Sequence, residues 1–462
     1  MLHDNNGPPR RTTVENATLR RITPPEYIPA VVQRSITAVE REIKKQQILA
    51  TVTLGGSTAK GTYLQGDHDI DVFVRFATSY TDKEIPEILE RVLKAVFRKV
   101  ERVHGSRDYF HIQREEYTFE FVPVLKIDSW VEARNVTDMS PLHVAYVLSK
   151  IRAKPWLSQD IRLTKQFCKA MKVYGAESYI GGFSGHVVDL LNIQYGGFRN
   201  VLEAAASWPA KTVLDPESRL DNPLTQLNDA KVFAPLVIVD PVQQDRNSAA
   251  AVTKQAYNRL RTAAKEYQAS SPDEQARFFT VTPFSHKEFC AAHPGDQAII
   301  VTITPLPGKK DVVGAKCLKV HEHVLRGLLD NEFTVTASAW EFTTKRATLA
   351  YALPAQKLSV EMMIVGPPVH KTKDAARFAA THKTTYSKDG RLHAIEHRRY
   401  REPLPLVRAL LGKEYVKERV VSARCARIGP SESGAKPRAT QRRTAMKPAR
   451  RKETIKKHNN ER

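Results

Sequence analysis

Apolar residues recur along this chain of 462 residues in two rhythms, one helical and one alternating. After Pro24, the positions Val31, Val32, Ile36, Val39, Ile43 and Ile48 fall at near-helical spacing and predict a helix to about residue 50. A strand over 48–54 follows and stops at Gly55-Gly56. Residues 70–76 alternate strictly: Ile70, Val72, Val74 and Phe76 share one face, while Asp71, Phe73 and Arg75 share the other with Asp69. Thr81-Asp82-Lys83-Glu84 has the form of a capping box and predicts a helix to about Val103. Its stripe is Ile85, Ile88, Leu89, Val92, Val96, Val100 and Val103. A further strand is expected over 117–125.

Helical spacing then dominates residues 141–205, in segments over 141–152, 158–173 and 187–193, and a further helix is expected over 248–270. Beyond about residue 276 the rhythm shortens. Strands are expected over 298–303, 332–342, 347–353 and 358–365, with helices over 319–329 and 373–381. The pattern divides the chain into an N-terminal arm (1–29), a small α/β unit (30–140), a helical unit (141–275) and an α+β unit (276–428). The last segment, 429–462, is rich in Pro, Ser, Arg and Lys without apolar residues in phase, which predicts a basic disordered tail.

Charge narrows the function. Lys and Arg number 72 against 50 Asp and Glu, a net +22. Residues 430–462 hold eleven of the basic residues and three of the acidic ones, so +8 sits there and +14 remains elsewhere. A surplus of that size favours a polyanionic partner, nucleic acid first. Four scattered cysteines, Cys168, Cys290, Cys317 and Cys425, form no C-x-x-C pair and argue against a disulfide framework or a cysteine-rich zinc site. No apolar run is long enough to cross a membrane and no secretory pattern opens the chain, so a cytoplasmic location is expected.

The chemistry concentrates at residues 54–72. Gly55-Gly56 allows close approach of backbone to a ligand, and Ser57 opens a short helix suited to phosphate. Asp69 and Asp71 then project from one face of a strand and can share divalent metal ions beside those phosphates. Glu120, charged within an otherwise apolar strand, is the candidate third carboxylate. An anion cradle with converging acids is what phosphoryl transfer requires.

These residues resemble the nucleotidyltransferase superfamily that includes DNA polymerase beta. Within it the chain is most similar to the archaeal class of CCA-adding enzymes, over about residues 30–425. The segments that carry the resemblance are Gly56-Ser57-Thr58-Ala59-Lys60-Gly61-Thr62, Gly66-Asp67-His68-Asp69-Ile70-Asp71-Val72, Ser140-Pro141-Leu142-His143 and Arg162-Leu163-Thr164-Lys165-Gln166-Phe167. Val173-Tyr174-Gly175-Ala176-Glu177, Gly182-Phe183-Ser184-Gly185, Asp240-Pro241 with Arg246-Asn247-Ser248, and Gly366-Pro367-Pro368-Val369 continue it in order.

The resemblance implies an α+β multidomain fold: a polymerase-beta-like nucleotidyltransferase head, a helical neck, and an α+β body and tail. It implies template-independent addition and repair of the 3′-terminal CCA of tRNA from CTP and ATP. Asp69, Asp71 and Glu120 would be catalytic and bind Mg2+. Gly56, Ser57, Lys60, Ser140, His143, Lys165 and Tyr174 would contact the triphosphate, and Arg246 would read the base. Lys60 and Glu120 stand where the family more often has Arg and Asp. Two alternatives stay open: another terminal RNA nucleotidyltransferase, adding poly(A) or uridylate, and a catalytically inactive RNA-binding relative. A homodimer also stays open.

Overall fold

The computed structural model describes residues 10–25 and 28–429. The basic segment expected to be disordered lies outside the described residues, apart from Gly429.

Residues 1–29 were expected to form an arm, and the structure differs. Thr13–Ile22 is a helix (α1) that packs into the neck. A capping box starts it: the Glu15 amide donates to Thr12 Oγ1 at 3.2 Å, and the Thr12 amide donates to Glu15 Oε2 at 2.8 Å. Glu15 is buried and takes hydrogen bonds from Arg199 Nε and the Tyr267 hydroxyl, each at 3.0 Å. Leu19 and Ile22 join the neck core. Four buried positions on so short a helix give little periodic signal.

The head begins with Ala30–Lys45 (α2), which buries Val31, Val32, Ile36, Val39 and Ile43 as expected but ends before Ile48. A five-stranded sheet follows, from β1 (Ala50–Leu54), β2 (Asp69–Phe76), β3 (Glu101–Val103), β4 (Tyr109–Arg114) and β5 (Tyr117–Leu125), in the order β1-β2-β5-β4-β3. Gly56–Lys60 (α3) lies between β1 and β2, and Glu84–Val96 (α4) follows β2. β2 and β5 pair in parallel and the other neighbours antiparallel. Ile70, Val72, Val74 and Phe76 are buried in one core with α2 and α4, as the alternation required. The helix expected to reach Val103 ends at Val96. Phe97 turns extended and packs on Phe121, ring centroids 5.9 Å apart, and Glu101–Val103 becomes an edge strand paired to β4. Sheet closure outweighs the local helical rhythm there.

The neck is built from Ser140–Ala153 (α5), Leu157–Ala170 (α6), Gly185–Tyr195 (α7), Phe198–Ser207 (α8) and the helix Lys254–Ala269, with a short parallel pair β6 (Thr212–Leu214) and β7 (Leu236–Ile238). The helix expected from Ser248 starts at Lys254. Thr253 caps it, its hydroxyl accepting from the Ala256 amide, and Ser248 is drawn into a side-chain cluster instead. The last third holds a four-stranded sheet, β14-β8-β10-β9, from β8 (Asp296–Pro305), β9 (Ala337–Phe342), β10 (Ala347–Pro354) and β14 (Val420–Ile428). Helices Lys310–Asp330 and Pro403–Leu411 cover one of its faces around Val301, Leu349 and Tyr351. A separate three-stranded sheet, β11-β13-β12, comprises β11 (Glu361–Pro368), β12 (Thr385–Lys388) and β13 (Arg391–His397). Among the described residues no helix is long and apolar enough to cross a membrane.

Candidate active site

Two groups of polar side chains form, and the first lies on the head sheet. The parallel register of β2 and β5 sets Asp71 beside Glu120, with Asp69 two residues along on the same face. Asp69 is exposed, while Asp71 and Glu120 are partly covered. The glycine pair closes over Asp71. The Gly55 amide donates to the Asp71 carbonyl at 2.8 Å. Gly56 adopts φ +52°, and a Cβ there would sit 1.7 Å from Asp71 Oδ2. Only glycine lets the turn approach that carboxylate.

Burial pushes the Asp71 carboxyl up to about 6, with the charges of Glu120 and Asp69 adding to the rise and those of Lys60 and Lys165 opposing it. Glu120 is likewise raised by burial, against a hydrogen-bonding contact of 3.3 Å from His111 Nε2. His111 is its cross-strand partner on β4. Sequence reasoning missed His111 because the strand carrying it was not anticipated. The donor set is entirely carboxylate oxygen, the chemistry of a hard divalent cation. Crowded like charges that resist ionisation fit such a group.

The cations meant for phosphate are placed differently from one another. Lys60 is buried and ion-paired with the fully buried Asp189 of α7. Lys165 is buried on α6, its ammonium donating to the Thr62 carbonyl at 3.0 Å and the Thr62 hydroxyl at 3.2 Å. Burial brings Lys165 down to about 8, against the pull of Asp189. Tyr174 lies close to the start of α7, its hydroxyl 3.1 Å from where a Cβ of Gly185 would stand. Burial raises its phenol, with Asp189 and Asp67 adding. Ser57 is the second residue of α3, and Ser140 opens α5 one turn before His143.

The second group surrounds Asp240, which follows β7 and is fully buried. Nε2 of His143 lies 2.9 and 3.0 Å from the two carboxylate oxygens. Arg246 Nη1 donates to Oδ2 at 3.1 Å and Ser248 Oγ to the same oxygen at 2.8 Å. The amides of Val242 and Gln243 donate to Oδ1 at 2.9 and 3.1 Å. His186 of α7 stacks edge-on against His143, centroids 4.7 Å apart, with its Nε2 3.6 Å from Oδ2. Burial works against the Asp240 charge, yet the contacts with His143 and His186 hold the carboxyl far below the usual range. An ionised carboxylate only accepts, so Nε2 of His143 carries a proton. His143, His186 and Asp240 each bring a donor atom within 4.8 Å of the others, a spacing that by itself could hold a metal ion. Both oxygens of Asp240 are already taken by neutralising donors, and Arg246 stands against one of them.

α5 carries His143 and packs against both α3 and α7, so the two groups share a wall. Thus Asp69, Asp71, Glu120 and Gly56 come together on the head, while His143 and Arg246 meet at Asp240. Asp240 itself, noticed in sequence only as part of a motif, escaped the candidate set.

Three family models match in chain order. A nucleotidyltransferase domain matches residues 36–137, the second domain of tRNA nucleotidyltransferase matches 159–280, and the C-terminal domain of the CCA-adding enzyme matches 300–420. The chain is 30% identical to the CCA-adding enzyme of Nanoarchaeum equitans over 360 residues, covering 76% of this chain and 85% of that one. It is 30% identical to the CCA-adding enzyme of Methanothermobacter thermautotrophicus over 380 residues, 80% of this chain and 81% of that one. With the CCA-adding enzyme of Halobacterium salinarum the identity is 31% over 358 residues, 76% of each chain.

Proposed function

The chain belongs to the CCA-adding enzymes, and from that premise we propose that it adds and repairs the 3′-terminal CCA of tRNA without a nucleic-acid template. The tRNA 3′ hydroxyl attacks the α-phosphate of CTP twice and of ATP once, and pyrophosphate leaves each time. One observation carries this reading: Asp71 and Glu120 side by side across β2 and β5, with the Gly56 turn pressed onto the Asp71 carboxylate. An anion-binding turn against paired acids is the arrangement that nucleotidyl transfer needs.

Asp69, Asp71 and Glu120 would hold magnesium, which when bound steadies charge on the attacking and leaving oxygens. Ser57, Ser140, His143 and Tyr174 hold the triphosphate, with Lys165 as the charged donor from α6. Lys60, engaged by Asp189, contributes positive field behind the acids rather than a forked contact. His143 is held with its Nε2 proton on Asp240, and in its doubly protonated form its Nδ1–H would donate to a phosphate oxygen. Arg246 offers its remaining guanidinium edge to the base.

The test is incorporation of labelled CTP and ATP, separately and together, into a tRNA transcript lacking its last three nucleotides, with magnesium. Two C residues from CTP alone and one A once ATP is added are expected. Long A or U tails would instead assign the sister activities, and tight tRNA binding without incorporation would assign an inactive relative.

A further inference from the structure

The residue at the centre of the second group has no assigned role, and its contacts point to one. Asp240 joins two side chains that come from distant parts of the chain: His143 at the start of α5 and Arg246 in the loop after β7. Its carboxylate is fully buried and accepts from both of them, from Ser248 and from two backbone amides. The two amides and Ser248 fix the carboxylate to its own loop. His143 and Arg246 are then fixed to the carboxylate.

We propose that Asp240 is a positioning residue that makes nucleotide selection depend on the triphosphate being seated. It ties the imidazole that meets the phosphates to the guanidinium that meets the base, so the two act as one rigid unit. This rests on the roles given above to His143 and Arg246.

The physical reason is geometric. Arg246 is 44% exposed at its side chain and, without an anchor, its long stem would sample many rotamers. A guanidinium free to swing presents donors to any base edge and discriminates poorly. Anchored through Nη1, it presents the rest of its fork in one plane, and a wrong base leaves those donors unpaired. His143 is restrained by the same carboxylate and against the ring of His186. With the carboxylate fixed, imidazole and guanidinium keep one separation, so Arg246 meets the base edge correctly only when the triphosphate is seated against His143.

The experiment compares Asp240→Asn, Ser248→Ala, Arg246→Ala and the Asp240→Asn/Arg246→Ala double variant, each as the full chain. Steady-state kcat/KM is measured for CTP and for UTP on a transcript awaiting its first C, with tRNA affinity and thermal midpoint recorded alongside. Asp240→Asn is expected to lower kcat/KM for CTP about a hundredfold, as misplacement of positioning groups does. It should also lower the CTP-over-UTP ratio about tenfold, with tRNA affinity unchanged. Ser248→Ala loosens the same carboxylate without removing its charge and should lower the ratio about threefold. If Asp240→Asn does not fold, Ser248→Ala decides alone. In the double variant the loss of ratio should equal that of Arg246→Ala, since both act through one guanidinium. Should Asp240→Asn and Ser248→Ala keep the wild-type ratio while Arg246→Ala loses it, the positioning role is overturned and the reading of Arg246 stands. Should Arg246→Ala itself keep the ratio, the reading of Arg246 fails and the inference with it.

Discussion

The acid group on the head sheet and the Asp240 group in the neck both contain buried carboxylates, but they are held in opposite ways. Asp71 sits among its own sign, beside Glu120 and Asp69, and burial raises its carboxyl to about 6. Asp240 is more completely enclosed, yet every neighbour donates a proton or a positive charge, and its carboxyl falls far below the usual range. The first is an unbalanced site that an arriving cation would stabilise. The second is balanced within the protein and serves as a fixed reference point. A buried carboxylate is therefore not one kind of evidence: the sign of its surroundings separates a group that waits for a ligand from one that holds other groups in place.

The largest expected effect tests the first half of that contrast. Asp71→Asn should reduce nucleotide incorporation on the order of a thousandfold or more while leaving tRNA affinity intact. In EDTA the same variant should be more stable than wild type at pH 7, by on the order of 2 kcal/mol, because a carboxylate raised to about 6 disfavours the folded state once ionised. The measurement is thermal or urea unfolding in parallel with activity; a less stable Asp71→Asn would break the comparison.

Asp240→Ala should move stability the other way. Removing it leaves Arg246, Ser248 and two amides without their acceptor, and about 3 kcal/mol of folding stability should be lost. Urea midpoints of the two variants, measured side by side, should fall on opposite sides of wild type.

Lys165 gives the pH dependence. In the proposed role its ammonium would bind the triphosphate, and burial lowers its folded value to about 8. The charged fraction is full below that value and lost as pH rises through it, so kcat/KM for CTP should fall above pH 8, about tenfold per unit at the limit. Lys165→Met should be less active at pH 7 and should lack this alkaline fall.

The smallest effect concerns the N-terminal helix. Glu15→Gln weakens the buried contacts to Arg199 and Tyr267 and should cost about 2 kcal/mol. Read by unfolding, a neutral result would mean that α1 packs by its apolar residues alone.

How much of this could be read from the chain depended on how local the signal was. The strand 69–76 was legible because alternation has a period of two and its buried residues other than Phe73 obeyed it. The turn at Gly55-Gly56 and the acids at 69 and 71 were legible because glycine and paired carboxylates have few other uses at that spacing. The inner strand β4 and the edge strand β3 were not, since their residues follow a helical rhythm or lie in a polar stretch, and only the pairing of β4 with β5 and of β3 with β4 selects the extended form. His111 was lost with them. Ser248 was expected in a helix, and its hydroxyl instead found Asp240.

By itself the sequence determined the reaction class, because the residues that carry it lie in one short segment whose local geometry follows from backbone rules. It also determined the partner's sign, through a net charge that no packing alters. The tertiary structure alone decided which carboxylates are opposed and which are answered. Glu120 meets Asp71 only through the parallel register of two strands, and Asp240 gathers His143 and His186 from distant segments onto the loop that carries Arg246. Electrostatic environment is a property of distances across the fold, and no periodicity along the chain encodes those distances.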